Sequence, residues 1–351
     1  MSLPPRRPSL VAAVGAALVL ATTASCSGGS SDVVDAPAGS TQAPAADGSG
    51  RTVNLYAYAV PKPGFDKLIP AFSATSAGKG VTFQQSYGAS GDQSRKVAAG
   101  AAADFVNFSV EPDVTRLVDA GLVDPAWNYG PHKGIPFGSV VTIVVRKGNP
   151  KGIQDWDDLL KPGVNVVTPN PFSSGSAKWN LLAPYAAKSD GGKNAQAGLD
   201  YVSALVEDHV TTQPKSGREA SDTFLQGTGD VLISYENEAV FLERDGDAVE
   251  HVTPPTTFKI ENPAAVLKNS SNLATAQAFN DFLYTTQAQT LLAQAGFRPV
   301  DEAVATQYAS SFPAPAKLWS IDDLGGWKTV DKTLFAKDTG TIAVIYDSAT
   351  K

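Results

Sequence analysis

Four turns in the sequence bring glycine, small hydroxyl residues or a phenol to places where a strand-like segment passes into a helix-like one. They are Gly88-Ala89-Ser90-Gly91, Ser173-Ser174-Gly175-Ser176, Ser216-Gly217-Arg218 and the single residue Tyr235. At a helix start the backbone N–H groups lack intrahelical acceptors and lie at the positive end of the helix dipole. Small side chains leave these N–H groups accessible, and serine hydroxyls add donors. The turns therefore predict a site that binds an oxyanion without a lysine or arginine partner.

Each serine in these turns has a second interpretation, because serine is among the preferred residues at a helix N-cap. A capping serine bonds to the backbone of its own helix and binds no ligand. For any one turn the sequence leaves this alternative open. The ligand-binding interpretation depends on several such turns meeting at one edge of a parallel sheet, where α/β proteins bind their ligands.

Residues suited to catalysis or metal binding are sparse. His132, His209 and His251 are far apart, and no H-E-x-x-H motif, G-x-S-x-G elbow or Walker-type phosphate loop occurs. Cys26 is the only cysteine, which excludes an internal disulfide and a cysteine–histidine metal cluster. We therefore expect a protein without a metal or cofactor that is not an enzyme. An extracellular transferase or hydrolase remains the alternative from a different class.

The rest of the chain must position the four turns, and it alternates strand-like with helix-like segments. Residues 53–58 and 81–86 read as strands, and residues 140–146 form the continuous β-branched run typical of a strand buried on both faces. Such alternation predicts an α/β fold. From Arg51 onward the chain has roughly 300 residues, which is enough for two lobes with separate cores.

The first 50 residues predict export. Arg6 and Arg7 precede an apolar run at residues 10–21. This run has the length of a signal-peptide core and is shorter than the about 20 residues that span a bilayer. Cleavage before Cys26 would free its thiol for a diacylglycerol, so we predict a lipoprotein signal peptide at residues 1–25. Residues 26–50 are rich in Ser, Gly, Ala and Pro and predict a flexible tether. Both the Sec and the twin-arginine export pathways remain open.

The formal net charge of the chain is −7, from 28 Lys and Arg against 35 Asp and Glu. An acidic chain argues against nucleic acid or an anionic membrane surface as a partner. It does not argue against an anionic ligand, because oriented backbone N–H groups can bind an anion against the overall charge.

A long middle segment resembles the sulfate- and thiosulfate-binding proteins of bacterial ABC importers. Residues 145–180 read VRKGNPKGIQDWDDLLKPGVNVVTPNPFSSGSAKWN, and shorter matches are SYGASGDQ, GDVLISYENEA, FRPVD and FPAPAKLWSIDDLGGW. The resemblance extends over nearly all of residues 51–337. It implies a two-lobed, type II periplasmic-binding-protein-like fold that closes on an oxyanion by hinge motion. Lobe one would comprise residues 51–135 and 241–351, and lobe two residues 136–240.

The resemblance also implies ligand-binding roles. Members of the family hold the ion with backbone N–H groups, serine hydroxyls and an indole N–H, without a direct counter-cation. The positions that match are Ala59, Ser90, Gly91, Ser174, Gly175, Ser176, Gly217, Arg218 and Tyr235. Two of these places depart from the family pattern. The turn at Gly217 is one residue shorter, and Tyr235 stands where the family has tryptophan, so a phenol donates from a different position.

The resemblance implies that the chain captures sulfate, or thiosulfate, and delivers it to an ABC importer permease. With the predicted lipid on Cys26, we expect a monomer anchored at the outer face of the cell membrane. Phosphate, molybdate and tungstate remain alternatives, as does a sensor lipoprotein. Sulfate carries no proton near neutral pH and needs only donors, whereas hydrogen phosphate must donate and gains from a carboxylate acceptor. Asp92 would favour phosphate if its side chain pointed inward. Otherwise it is a first-turn acid favoured by the helix dipole.

Overall fold

The computed structural model describes residues 51–349, so the predicted signal peptide, Cys26 and the predicted tether at residues 26–50 lie outside the described residues. The strands are β1 (Arg51–Tyr58), β2 (Val81–Gly88), β3 (Phe105–Asn107), β4 (Phe137–Arg146), β5 (Val166–Val167), β6 (Val210–Thr212), β7 (Val231–Tyr235), β8 (Val249–Val252), β9 (Thr256–Asn262), β10 (Ala264–Val266), β11 (Arg298–Pro299) and β12 (Lys317–Trp319). The helices are α1 (Lys62–Ser73), α2 (Ser90–Ala98), α3 (Glu111–Asp119), α4 (Gly175–Ser189), α5 (Ala195–Ala204), α6 (Gly217–Leu225), α7 (Glu236–Asp245), α8 (Leu273–Leu283), α9 (Thr286–Gln294), α10 (Glu302–Gln307), α11 (Gly326–Val330) and α12 (Thr341–Ala349). Single 3₁₀ or π turns lie at Trp156–Leu160, Leu205–His209, Ala309–Ser311, Asp322–Leu324 and Asp331–Phe335.

The first sheet has the strand order β10-β3-β1-β2. Strand β1 runs parallel to β2 and β3, and β10 runs antiparallel to β3. Val53, Leu55 and Ala57 on one face of β1 are fully buried. Their cluster includes phenylalanines of α1 and α8, among them Phe65 and Phe279. The parallel strands bring the ends of β1, β2 and β3 to the same edge of this sheet.

The second sheet has the strand order β12-β9-β4-β7-β5-β6, with β8 and β11 also paired to β4. Strand β4 is its longest member, and residues 140–145 are buried throughout, which confirms the buried strand predicted there. Its start, Phe137, packs in the core of the first sheet, whereas Val141 and Val145 pack in the core of the second. Strand β4 therefore runs continuously from one hydrophobic core to the other.

Two sheets with helices packed on them confirm the predicted α/β, two-lobed fold class. The exact lobe boundaries stay a proposal, and the packing favours two changes to the predicted boundaries. Helix α7 contributes Ala239 and Leu242 to a cluster of the second sheet. Residues 319–346 pack there as well, through Trp319, Trp327 and Tyr346. We propose that lobe one comprises residues 51–135 and 263–312, and lobe two residues 136–262 and 317–349.

Within residues 51–349, no helix combines the length and the apolar character needed to cross a bilayer.

Candidate functional site

The predicted turns lie where the structure begins its helices. Strand β2 is followed at once by α2, which starts at Ser90. Helix α4 starts at Gly175, α6 starts at Gly217, and Tyr235 ends β7 and is the N-cap of α7. Each position therefore stands at or beside the positive end of a helix dipole, as the sequence predicted.

The described serines at these helix starts differ in whether they cap. The Ser216 hydroxyl accepts from the backbone N–H of Glu219 at 3.2 Å, so capping accounts for Ser216. Ser174 occupies the same position on α4 and makes no side-chain capping bond. Ser174 and the first residues of α4, Gly175 and Ser176, are all buried. A buried, uncapped helix start leaves N–H groups that require an acceptor from elsewhere.

Close contacts bring three of the helix starts together. The backbone N–H of Gly91 on α2 donates to the carbonyl of Ser173, just before α4, at 3.2 Å. A β-carbon placed on Gly217 would lie 3.1 Å from the hydroxyl oxygen of Ser176 and 3.1 Å from Val60. The starts of α2, α4 and α6 thus meet each other and the loop that follows β1.

Ala59 and Arg218 lie at the border of this cluster. Ala59 is half-buried at the end of β1, and its carbonyl accepts from the backbone of Lys62. The Arg218 guanidinium donates to Glu238 at 3.0 Å, and the Glu238 side chain is fully buried. Burial raises the pKa of Glu238, and the charge of Arg218 acts in the opposite direction. Because Arg218 already has an anionic partner, the side chain itself adds little net charge to the site.

The Ser90 hydroxyl is held inside lobe one. It donates to the carboxylate of Asp113 at 2.6 Å and accepts from the backbone N–H of Ser109 at 2.9 Å. Arg116 donates to the other Asp113 oxygen at 2.9 Å. In this arrangement the Ser90 proton is directed at Asp113. We therefore propose that Ser90 contributes to a ligand site through its backbone N–H at the start of α2.

Ser109 is the central residue of the cluster, and sequence reasoning missed it. Its hydroxyl lies 2.7 Å from the hydroxyl of Tyr235. Its carbonyl accepts from the indole N–H of Trp179 at 2.8 Å and from the amide of Asn262 at 3.1 Å. It stands just beyond β3, at the same sheet edge as the predicted turns. That position was a usable signal, but the residue lies inside an apolar run without glycine.

Two buried tyrosines face each other beside this cluster. The ring centroids of Tyr58 and Tyr235 lie 6.3 Å apart. Burial raises the pKa of Tyr235, while hydrogen bonding with Ser109, Ser176 and Asn262 acts in the opposite direction. Burial also raises the pKa of Tyr58, as do Tyr235 and Glu238. Both phenols therefore keep their protons at neutral pH and remain hydrogen-bond donors.

Asp92 lies at the surface of the first turn of α2. It pairs with Arg95 on the same helix at 2.5 Å, and its side chain is 43% exposed. Of the two positions considered from the sequence, an inward carboxylate and a first-turn acid on the helix surface, Asp92 occupies the second.

The three histidines lie in separate environments. His132 stacks on Tyr284, with ring centroids 5.3 Å apart. His209 bonds to the carbonyl of Val164, and His251 to Glu243. Among residues 51–349, no group of three or more His, Cys, Asp or Glu side chains is arranged to hold a metal ion.

Buried helix starts that converge between two α/β lobes are the arrangement of a protein that encloses a small ligand. The chain belongs to the family of bacterial extracellular solute-binding proteins, whose family model matches residues 53–298.

Individual relatives give a more specific comparison than the family model does. The sulfate-binding protein of Synechococcus elongatus is 36% identical over 341 residues, which cover 94% of each chain. The sulfate-binding protein of Salmonella typhimurium is 38% identical over 282 residues, covering 78% of this chain and 85% of the relative. The solved structure of the sulfate-binding protein SubI from Mycobacterium tuberculosis H37Rv is 66% identical, with a TM-score of 0.81, and covers 81% of this chain and 99% of that one. The resemblance found in the sequence is confirmed.

Proposed function

We propose that this chain captures sulfate outside the cytoplasm and delivers it to the permease of an ABC importer. The observation that carries the proposal is the start of α4, where Gly175 and Ser176 are buried and no described side chain caps the helix. An oxyanion at this place would accept the free N–H groups and gain from the helix dipole. The names of the similar proteins agree with this ligand class.

The charges around the helix starts support sulfate over hydrogen phosphate. The carboxylate of Asp113 accepts from Ser90 and Arg116, and Asp92 lies at the surface with Arg95. Neither carboxylate is therefore free to accept the proton of hydrogen phosphate. Backbone N–H groups and neutral phenols supply donors, which suit an ion without protons. Thiosulfate offers the same acceptors and remains the nearest alternative.

Binding without turnover is part of the proposal. The side chains that meet at the described helix starts are hydroxyls, amides, an indole, phenols and the ion-paired carboxylates of Asp113 and Glu238. The nearest serine–carboxylate contact, Ser90 with Asp113, has its carboxylate engaged by Arg116. Both oxygens of this carboxylate therefore already accept hydrogen bonds within the protein. Incubation with sulfate and phosphate esters should give no product, and measured turnover would overturn this part.

Calorimetric titration of the purified protein tests the ligand. We expect tight binding of sulfate, weaker or comparable binding of thiosulfate, and no heat from phosphate at neutral pH. Molybdate and tungstate complete the series, because larger ions need a wider cage. Binding of phosphate in place of sulfate would contradict the donor-only site and make Asp92 and Asp113 the first residues to substitute.

The predicted lipid anchor is tested separately. We propose that Cys26 carries a lipid that keeps a monomeric protein at the outer face of the cell membrane. Changing Cys26→Ala should move the protein from the membrane fraction to the soluble fraction and lower uptake of labelled sulfate, while light scattering still gives the mass of one chain. Retention of the variant at the membrane, with unchanged uptake, would show that Cys26 is not the anchor.

A further inference from the structure

Several hydrogen bonds in the described chain join the two lobes at the proposed site, and one of them links two hydroxyl groups. The hydroxyl of Ser109, on the loop after β3, lies 2.7 Å from the hydroxyl of Tyr235, which ends β7 in the second sheet. Both side chains are at most 1% exposed. Ser109 matches none of the positions that the family resemblance assigns to the ligand.

Ser109 is held in place from every side. Its N–H donates to Ser90, and its carbonyl accepts from Trp179 and Asn262. Helix α4 presses against its side chain, since a β-carbon on Gly175 would lie 2.8 Å from the Ser109 β-carbon and 2.9 Å from its hydroxyl oxygen. A residue fixed by three hydrogen bonds and a backbone contact cannot shift without moving the helix starts. In this arrangement Ser109 therefore sets the distance between the lobes at this point.

The hydroxyl pair has further partners in lobe two. Either oxygen can donate to the other, and Tyr235 also hydrogen-bonds with Ser176 and Asn262. Ser176 belongs to the first turn of α4, so these bonds hold the pair beside the proposed ligand site. A ligand of the right size would fit beside the pair while it stays intact. A larger ion would have to push Ser109 and Tyr235 apart.

We infer that Ser109 is a specificity-determining residue: through its bond to Tyr235 it limits the size of the oxyanion that the closed site accepts. This inference rests on the proposed function and names the residue that selects sulfate over larger tetrahedral ions. Removing the Ser109 hydroxyl breaks its bond to Tyr235 and opens space beside Gly175, while the bonds to the Ser109 carbonyl remain. The site then loses affinity for sulfate and accepts a larger ion more readily.

The test is calorimetric titration of the full protein with sulfate and molybdate. Ser109→Ala is expected to weaken sulfate binding by about tenfold or more, and to raise the ratio of molybdate affinity to sulfate affinity by about tenfold. Tyr235→Phe keeps the ring and breaks the same bond, so it should shift the ratio in the same direction. The double variant should shift the ratio no further than the larger single change, because both variants remove one shared interaction.

Ser189→Ala is the matched control. Ser189 is a fully buried serine at the far end of α4, and its hydroxyl accepts from Gly192 at 2.8 Å. This variant should lose stability without changing the affinity ratio. Equal weakening of both ions by Ser109→Ala, or no change in either, would overturn the inference. The wild-type titration tests the proposed ligand independently: a wild type that prefers molybdate refutes sulfate as the ligand, and the variants still test Ser109 by the shift in ratio. A wild type that binds neither ion overturns both.

Discussion

Gly175→Ala is expected to reduce sulfate affinity by about 10- to 100-fold, because the added β-carbon would collide with Ser109. The two β-carbons would lie 2.8 Å apart, which is too close for carbon atoms, and both are fixed to backbone. The clash is between the lobes, so an open protein avoids it. The free energy of unfolding without ligand should therefore stay within about 1 kcal/mol of wild type, since alanine is a better helix residue than glycine. Calorimetric titration and thermal unfolding measure the two quantities.

Gly130→Ala is a matched control, because a β-carbon at Gly130 meets no atom within 4 Å. This variant should bind sulfate as tightly as wild type. If Gly175→Ala also bound with wild-type affinity, the start of α4 would not close on Ser109 in solution, and the proposed site would have to be abandoned.

Arg298→Met is expected to destabilise the protein by about 3–5 kcal/mol, because it leaves the charge of Glu236 buried without a partner. The Arg298 guanidinium makes two parallel bonds to Glu236, of 2.7 Å and 2.8 Å, and Glu236 is 2% exposed. Arg298 also donates to the carbonyl of Pro313 at 3.0 Å. Glu236 is the residue after Tyr235, so the same change should loosen the start of α7 and weaken sulfate binding. Denaturant unfolding measures the loss.

Adding Glu236→Gln to Arg298→Met should recover part of the lost stability, since the isolated buried charge is then removed. If Arg298→Met alone were as stable as wild type, Glu236 would have to reach water when the Arg298 guanidinium is absent. The start of α7 would then be mobile, and Tyr235 could not be a fixed part of the site.

The architecture could be predicted because its causes are local in the sequence. The β-branched run at residues 140–146 forms β4, and the glycine and serine turns mark the starts of α2, α4 and α6. The residues of a late segment do not by themselves indicate which of the two sheets the segment packs against. Residues 319–346 follow the lobe-one helices in the chain, yet their apolar side chains pack in the core of the second sheet.

The site could be predicted in part, for the same reason. Glycine and serine at a helix start have a local meaning, and those positions do converge. What each serine does was not predictable, because Ser216 caps its helix, Ser174 does not, and Ser90 bonds to an aspartate 23 residues away. Ser109 was missed because its partners, Tyr235 and Asn262, are distant in sequence. Ser109 is a single serine in an apolar run, and its contacts with Tyr235 and Asn262 form only when the two lobes come together.

The donors at the start of α4 belong to the main chain. Three cations near the site, Arg95, Arg116 and Arg218, form ion pairs with Asp92, Asp113 and Glu238. Exchanging charged side chains is therefore a poor route to a new ligand in this scaffold. Insertions or deletions in the turns would change the direction of the N–H groups. Replacing the glycines that let the turns approach one another would have the same effect. Proteins of this architecture that bind different ligands should therefore differ in the length of these turns and in the positions of their glycines. Their charged residues near the site should be largely the same.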